Sequence, residues 1–135
     1  MVGSTFVVDA SAVLAVVLNE PEKRPLIRLT VNAVLLAPGC LPWEVGNALS
    51  AMIRRKRIGH AAALQAVEVF EAIPIRYGPV DLGRALRLAA DTGLYAYDAY
   101  YLECSFRQKA PLLTLDRRLR QCAVGLGILA PEVTP

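Results

Sequence analysis

Apolar positions along the chain alternate between short solid runs and longer stretches with helical spacing. That is the pattern of a parallel sheet covered by helices. Thr5-Phe6-Val7-Val8 is an apolar, β-branched run ending in Asp9, and Ala10 to Leu18 follows with helical character until Asn19 and Pro21 break it. Glu22 to Asn32 reads as a more polar helix whose start is confined by Pro25, and Val34 to Ala37 as a buried strand closed by Pro38-Gly39. A helix opening at Pro42 carries Val45, Ala48, Leu49, Met52 and Ile53 as its core stripe and stops at Ile58-Gly59. His60 to Ile73 is expected to be helical with Leu64, Val67 and Phe70 inward, and Ile75 to Tyr77 to be a strand. Pro79 is expected to open a helix to Thr92 that buries Leu82, Ala85, Leu86, Ala89 and Ala90 and ends at Gly93. A helix from near Tyr97 would bury Ala99, Leu102 and Phe106 and leave Glu103 exposed. Pro111 to Leu115 reads as a strand ending in Asp116, Arg117 to Ala123 as a helix, and Gly127 to Ala130 as a last edge strand stopped by Pro131.

The expected fold class is therefore α/β, in one domain over residues 1–135, long enough to bury a core without staples. Hydrophobic residues make up 55% and charged residues 20%, which excludes a disordered chain and leaves apolar material for a partner. The apolar segments Val13 to Leu18 and Leu26 to Leu29 are the candidates for a dimer face and a groove, with simple core packing as the competing account. No apolar run approaches the ~20 residues of a membrane span, and the N-terminus lacks the pattern of a secretory signal. The expectation is a soluble, cytoplasmic protein. Cys40, Cys104 and Cys122 form no C-x-x-C pair, so neither a disulfide framework nor a zinc site is expected, and they read as core thiols.

Acids at strand ends are the candidate chemistry, because open α/β sheets bind ligands just outside the carboxyl ends of their strands. Asp9 and Asp116 each close a short apolar strand and precede a helix, and on adjacent parallel strands they would repel unless a cation lay between them. Glu44 lies in the first turn of its helix with Asn47 one turn on; the helix dipole alone accounts for such a carboxylate, and its place after a strand and turn favours a site. Asp98 is flanked by aromatics that hinder its hydration. Thr114 points away from Leu113 and is placed to hydrogen-bond a carboxylate or water. Asp81 and Asp91 are read as dipole complementation and solvent exposure.

The formal charge of +3 becomes more informative if four of the twelve acids share one pocket. Eight acids then face fifteen Lys and Arg on the remaining surface, a balance of +7 that suits a polyanion. Arg54-Arg55-Lys56-Arg57 and Arg117, Arg118, Arg120 are the candidate phosphate contacts, with plain solvated charge an equally good account. His60 is the only histidine and sits at a helix boundary, which argues against Ser-His-Asp or Cys-His catalysis.

Val8-Asp9-Ala10-Ser11, Pro42-Trp43-Glu44-Val45-Gly46-Asn47-Ala48-Leu49, Tyr97-Asp98-Ala99-Tyr100-Tyr101-Leu102 and Leu113-Thr114-Leu115-Asp116 together resemble the PIN-domain family, and more narrowly its VapC-type toxins. The resemblance spans essentially the whole chain. It implies a three-layer α/β/α fold with a central parallel sheet, Mg²⁺- or Mn²⁺-dependent endoribonuclease activity, a homodimer, and a cognate VapB-type antitoxin. By motif position the acidic quartet falls on Asp9, Glu44, Asp98 and Asp116, with Ser11, Asn47 and Thr114 as supporting groups and Arg54, Arg55, Arg117 and Arg118 as candidate RNA contacts.

Hard carboxylate oxygens without histidine or thiolate suit those same ions. Two rival readings stand beside this one: a phosphoacceptor domain, disfavoured because no acidic pair stands near the first strand and no lysine follows a late strand, and a non-catalytic PIN-like module that binds RNA or protein.

Overall fold

The computed structural model describes residues 4–135. Four strands, β1 (Thr5–Val8), β2 (Val34–Pro38), β3 (Ile75–Gly78) and β4 (Leu112–Leu113), form one sheet in the order β3-β2-β1-β4. Every pairing is parallel, with Thr5 opposite Val34, Val8 opposite Leu113, and Leu35 opposite Ile75. Phe6, Val7, Val8, Leu112 and Leu113 are all buried, which explains why these strands read as solid apolar runs.

Seven helices fill the connections: α1 (Ala10–Val17), α2 (Lys23–Thr30), α3 (Leu41–Arg54), α4 (His60–Ala72), α5 (Leu82–Thr92), α6 (Ala96–Gln108) and α7 (Arg117–Gly125). From β1 the chain moves outward to β2 and then β3, with α1 packing on α2, α3 and α4. It then crosses to the opposite side of β1 through α5 and α6, and α6 lies on β1, β2 and β4. Strand order therefore reverses between β1 and β4, which is the crevice where an open parallel sheet presents its ligand site. The three-layer α/β architecture expected from the sequence is the one observed.

Several expectations need correction. Helix α5 starts at Leu82, not Pro79, because the Asp81 carboxylate accepts the Arg84 N–H and caps the helix there. Its covered stripe is Ala85 with half-buried Leu88 and Ala89, while Leu82 and Leu86 are exposed, since α5 packs on α6 and small side chains permit close approach. In α4 the buried residues are Ala63, Ala66 and Phe70, and Leu64 faces out.

Helix α6 lies between the sheet and α5, so Tyr101, Leu102, Glu103, Cys104 and Ser105 are all buried and Phe106 is exposed. Glu103, expected on the surface, accepts the Arg107 Nε–H at 3.1 Å. Gly127 to Ala130 forms no strand. The Leu112 N–H donates to Leu129 C=O, but Gly127 takes a left-handed φ of 81° and Pro131 lacks an N–H to extend a ladder. Cys104 is buried, and Cys40 and Cys122 are half-buried; all three are free thiols.

Candidate active site

The end of β1 is clamped to the end of β4 through one carboxylate. Asp9 is 5% exposed and caps α1, its Oδ1 accepting the Ala12 N–H at 3.0 Å and the Ser11 hydroxyl at 2.7 Å. Its Oδ2 accepts the Thr114 hydroxyl at 2.5 Å. Each hydroxyl in turn accepts a backbone N–H from the turn after β4: Leu115 N–H to Ser11 Oγ at 2.8 Å and Asp116 N–H to Thr114 Oγ1 at 3.0 Å. Both hydroxyl protons are spent on Asp9, so the 3.4 Å approach of Ser11 to Thr114 is a contact between two acceptors. These bonds fix the turn that delivers Asp116, whose Oδ1 caps α7 through the Leu119 N–H at 2.9 Å. The register places Leu113 opposite Val8, so Thr114, not Asp116, lies beside Asp9.

Glu44 and Asp98 approach from the first turns of α3 and α6. Tyr101 donates its hydroxyl to Glu44 Oε2 at 2.8 Å, and the Cys40 thiol also lies against that carboxylate. Asp98 accepts no hydrogen bond from the described residues. The acids feel one another: Asp116 repels Asp9 and Asp98, and Asp98 repels Glu44.

Burial is the larger influence in each case. It pushes Asp9 up to about 6 against the opposing bonds from Thr114, Ser11 and the Ala12 amide. It raises Glu44 despite Cys40 and Tyr101, and raises Asp98 despite Arg118. Burial and the facing Glu44 likewise raise the Tyr101 phenol and push the Cys40 thiol up to about 12, so both are neutral donors.

Cation partners distinguish these acids from Asp81, which caps α5 by the same geometry. Asp81 has Arg84 at 3.8 Å and Arg107 at 3.9 Å, whereas none of the four site acids has a cationic side chain of the described residues within 4.0 Å. Arg118 alone moderates them, lowering Asp98 while its Nη2 donates to Gly93 C=O at 3.2 Å. The result is an acidic cluster, desolvated at Asp9, Glu44 and Asp98 and exposed at Asp116, with almost no counter-charge among the described residues. Its carboxylate oxygens are hard donors suited to a divalent cation, Asp98 and Asp116 Oδ2 being free of protein hydrogen bonds among the described residues. No three His, Cys, Asp or Glu of the described residues form a ready-made metal cage.

A family model described as PIN domain matches residues 6–125. This chain belongs to the PIN-domain family. It is 34% identical over 115 residues, 84% of its own length and 87% of the relative's, to Ribonuclease VapC9 of Mycobacterium tuberculosis. It is 31% identical over 121 residues to Exonuclease VapC9 of Pyrobaculum aerophilum, covering 84% of this chain and 82% of that one. Among solved structures, PAE2754 from Pyrobaculum aerophilum superposes with a TM-score of 0.72 at 27% identity, over 94% of this PIN chain and 83% of that one. VapBC2 from Rickettsia felis, solved with a DNA fragment from its promoter, superposes at 0.65 with 9% identity over 94% and 97%, a likeness of fold alone.

The supporting residues expected from the sequence separate into two kinds within this PIN domain. Ser11 and Thr114 bind Asp9 directly, whereas Asn47 is exposed and makes no hydrogen bond with the described residues. Arg117 and Arg118 open α7 next to Asp116. Arg54 and Arg55 lie at the other end of α3 from Glu44, ~15 Å along a helix rising ~1.5 Å per residue, so the fold does not bring them to the acids. Tyr101 was missed as a site residue. Its signal was available, since it stands three residues after Asp98 and so shares a helix face with it.

Proposed function

We propose that this chain is a divalent-metal-dependent endoribonuclease, the toxin of a toxin–antitoxin pair, hydrolysing RNA phosphodiester bonds. The observation that carries the reading is the group of four acids at the β1/β4 switch point, three held above their ordinary proton affinity, with no cation paired to them among the described residues. Relatives named ribonucleases support the reaction class.

Asp9, Asp98, Asp116 and Glu44 would hold Mg²⁺ or Mn²⁺. Bound there, the ion supplies Lewis acidity that activates water at neutral pH and offsets charge on the phosphate. The protein supplies orientation. Ser11 and Thr114 fix Asp9, Tyr101 and the Cys40 thiol orient the Glu44 carboxylate toward a ligand or an attacking water, and Arg117 and Arg118 attract the phosphate backbone.

Partners belong to the same proposal. The VapBC2 neighbour supports a VapB-type antitoxin. An apolar groove of about 190 Å³, lined by Val13, Val16, Leu26, Ile27 and Leu35 between α1, α2 and the sheet, would take an apolar antitoxin segment. Exposed Leu82 and Leu86 on α5 offer an apolar face for a homodimer. Among the described residues no helix is long and apolar enough to cross a membrane.

A circular RNA tests the reaction without free ends. Incubation with Mg²⁺ or Mn²⁺ is expected to linearise it, and chelator or Asp98→Asn to prevent this. Intact circles alongside trimming of linear RNA would make the enzyme an exonuclease; no metal-dependent cleavage of either would leave the non-catalytic binding module.

A further inference from the structure

Two hydroxyls elsewhere in the chain turn back onto their own helix: Thr30 donates to Leu26 C=O at 2.8 Å and Thr92 to Leu88 C=O at 2.6 Å. Ser105 does not. It stands in the last turn of α6, 1% exposed, four residues after Tyr101, and its Oγ has no hydrogen-bond partner among the described residues. A buried hydroxyl left unpaired is costly, which directs attention to what lies beside it. Ser105 lines a cavity of about 280 Å³ with Phe106, Lys109, Pro111, Ile128 and Leu129, between the end of α6, the start of β4 and the segment after α7. Two of its walls stand in solvent, Leu129 at 73% exposure and Phe106 at 55%, so an apolar occupant would gain by covering them.

Charge sets the other end of that occupant. Among the described residues Lys109 is the only charged group lining the cavity, and no carboxylate lies within 4.0 Å of it. Other cations of the same region are engaged: Arg107 holds Glu103 and Asp81, and Arg120 pairs with Glu132 and donates to Ala130 C=O. Lys109 closes α6 at φ 51°, a left-handed position that glycine or asparagine takes more readily, and the Lys109 N–H to Phe106 C=O and Ala110 N–H to Ser105 C=O bonds fix the turn. We propose that this cavity binds a small apolar carboxylate of amino-acid size. Its acid group would lie between the Ser105 hydroxyl and the Lys109 ammonium, and its apolar body against Phe106, Ile128 and Leu129. An amine would meet Lys109 with like charge, and a single water would satisfy Ser105 but leave the apolar walls uncovered. The site is separate from the acids, because Ser105 lies ~10 Å along α6 from Asp98, and Pro111 precedes β4 whereas Asp116 follows it. The proposal therefore stands without the nuclease reading.

Backbone amide NMR shifts of the full-length protein report the cavity through Ala110, Gly127, Ile128 and Leu129. Titration with isocaproate and with hydrocinnamate is expected to move them saturably, with the neutral hydrocinnamamide binding more weakly and hexylamine leaving them unmoved. Lys109→Gln is expected to weaken binding of the acids up to about fivefold, the range of an exposed ion pair, and to leave the amide unchanged. Ser105→Ala should weaken the acids roughly tenfold and weaken the amide as well, while melting no lower than wild type, since it removes a hydroxyl that is buried and unpaired.

No saturable shift with either acid would overturn the proposal and leave the Ser105 hydroxyl to a water. Shifts that survive both substitutions unchanged would place the acids elsewhere on the surface and overturn it as well. Equal affinity for hydrocinnamate and its amide would remove Lys109 from the site, and with it the carboxylate. None of these measurements involves RNA, so their failure and that of the nuclease reading are distinguishable.

Discussion

Asp9 and Asp98 are both acids of one site, yet they are held in opposite ways. Asp9 is buried under three donors, two of which tie it to the turn after β4, so its position is fixed before anything binds. Asp98 is half-buried, accepts nothing from the described residues and is moderated only by Arg118. The first carboxylate is anchored, the second left open. Anchoring has a cost, because burial outweighs the three donors and leaves Asp9 with a proton affinity near 6. An unpaired buried carboxylate is thus maintained at the sheet's switch point against folding stability, which is expected of a group kept for function.

The largest expected effect separates the two acids. Asp9→Asn and Asp98→Asn should each reduce RNA cleavage to the metal-free background, yet their stabilities should diverge. Asparagine still caps α1 and removes the buried charge, so metal-free Asp9→Asn should melt several degrees above wild type. The limit is about 3 kcal/mol, from a shift of about two pKa units. Asp98→Asn should melt only slightly higher, as befits a half-buried group. Equal shifts, measured by calorimetry in chelator, would mean that Asp9 is no more strained than Asp98.

The same comparison has a pH form. A carboxyl group whose folded affinity exceeds its unfolded value binds more protons in the native state between the two pKa values, so stability falls as pH rises through that window. For Asp9 the window runs from 3.8 to about 6. Metal-free wild type should therefore gain stability as pH drops from 7 to 5, and Asp9→Asn should lose most of that gain. Mg²⁺ at neutral pH should raise the wild-type melting temperature and leave Asp98→Asn unmoved. A pH-independent difference between wild type and Asp9→Asn would remove the buried charge as its cause.

The donors around each acid are expected to matter less than the acids. Thr114→Val removes a donor to Asp9 and Tyr101→Phe removes the donor to Glu44. Each should weaken metal affinity about 10–100-fold, with activity recovering at higher Mg²⁺. Thr114→Val should be the more damaging, because the same oxygen also accepts the Asp116 N–H and so holds a second acid. Loss of kcat that added metal does not restore would place either residue in the chemical step.

What was legible in the chain depended on how local the deciding interaction is. Asp9 and Asp116 stood out because a strand, an acid and a helix follow one another within a few residues, and Thr114 because strand alternation turns it away from Leu113. Glu44 and Asp98 needed the family's motif, since a first-turn acid is explained equally well by the dipole. Tyr101 was not legible as the partner of Glu44, because the bond joins residues 57 apart on helices from different connections. Glu103 and the inward face of α5 were misjudged for one shared reason. Helix α6 is covered on a second side by α5, so the residues of α6 facing away from the sheet still meet protein.

The smallest expected effect concerns the two basic groups. Arg118 stands within electrostatic reach of Asp98, whereas Arg54 and Arg55 end α3 about 15 Å from Glu44, beyond the ~8–10 Å over which salt leaves a charge felt. For a short oligonucleotide held at the acids, Arg118→Ala should reduce the slope of log affinity against log salt by roughly 0.7, the value of one single-strand phosphate contact, and Arg54→Ala with Arg55→Ala should leave it unchanged. A long RNA can run the length of α3, and there the double substitution should lower the slope as well. If it does so only for the long probe, the arginines extend the backbone track away from the acids. If it does so for neither, Arg54 and Arg55 act only as complements to the helix dipole.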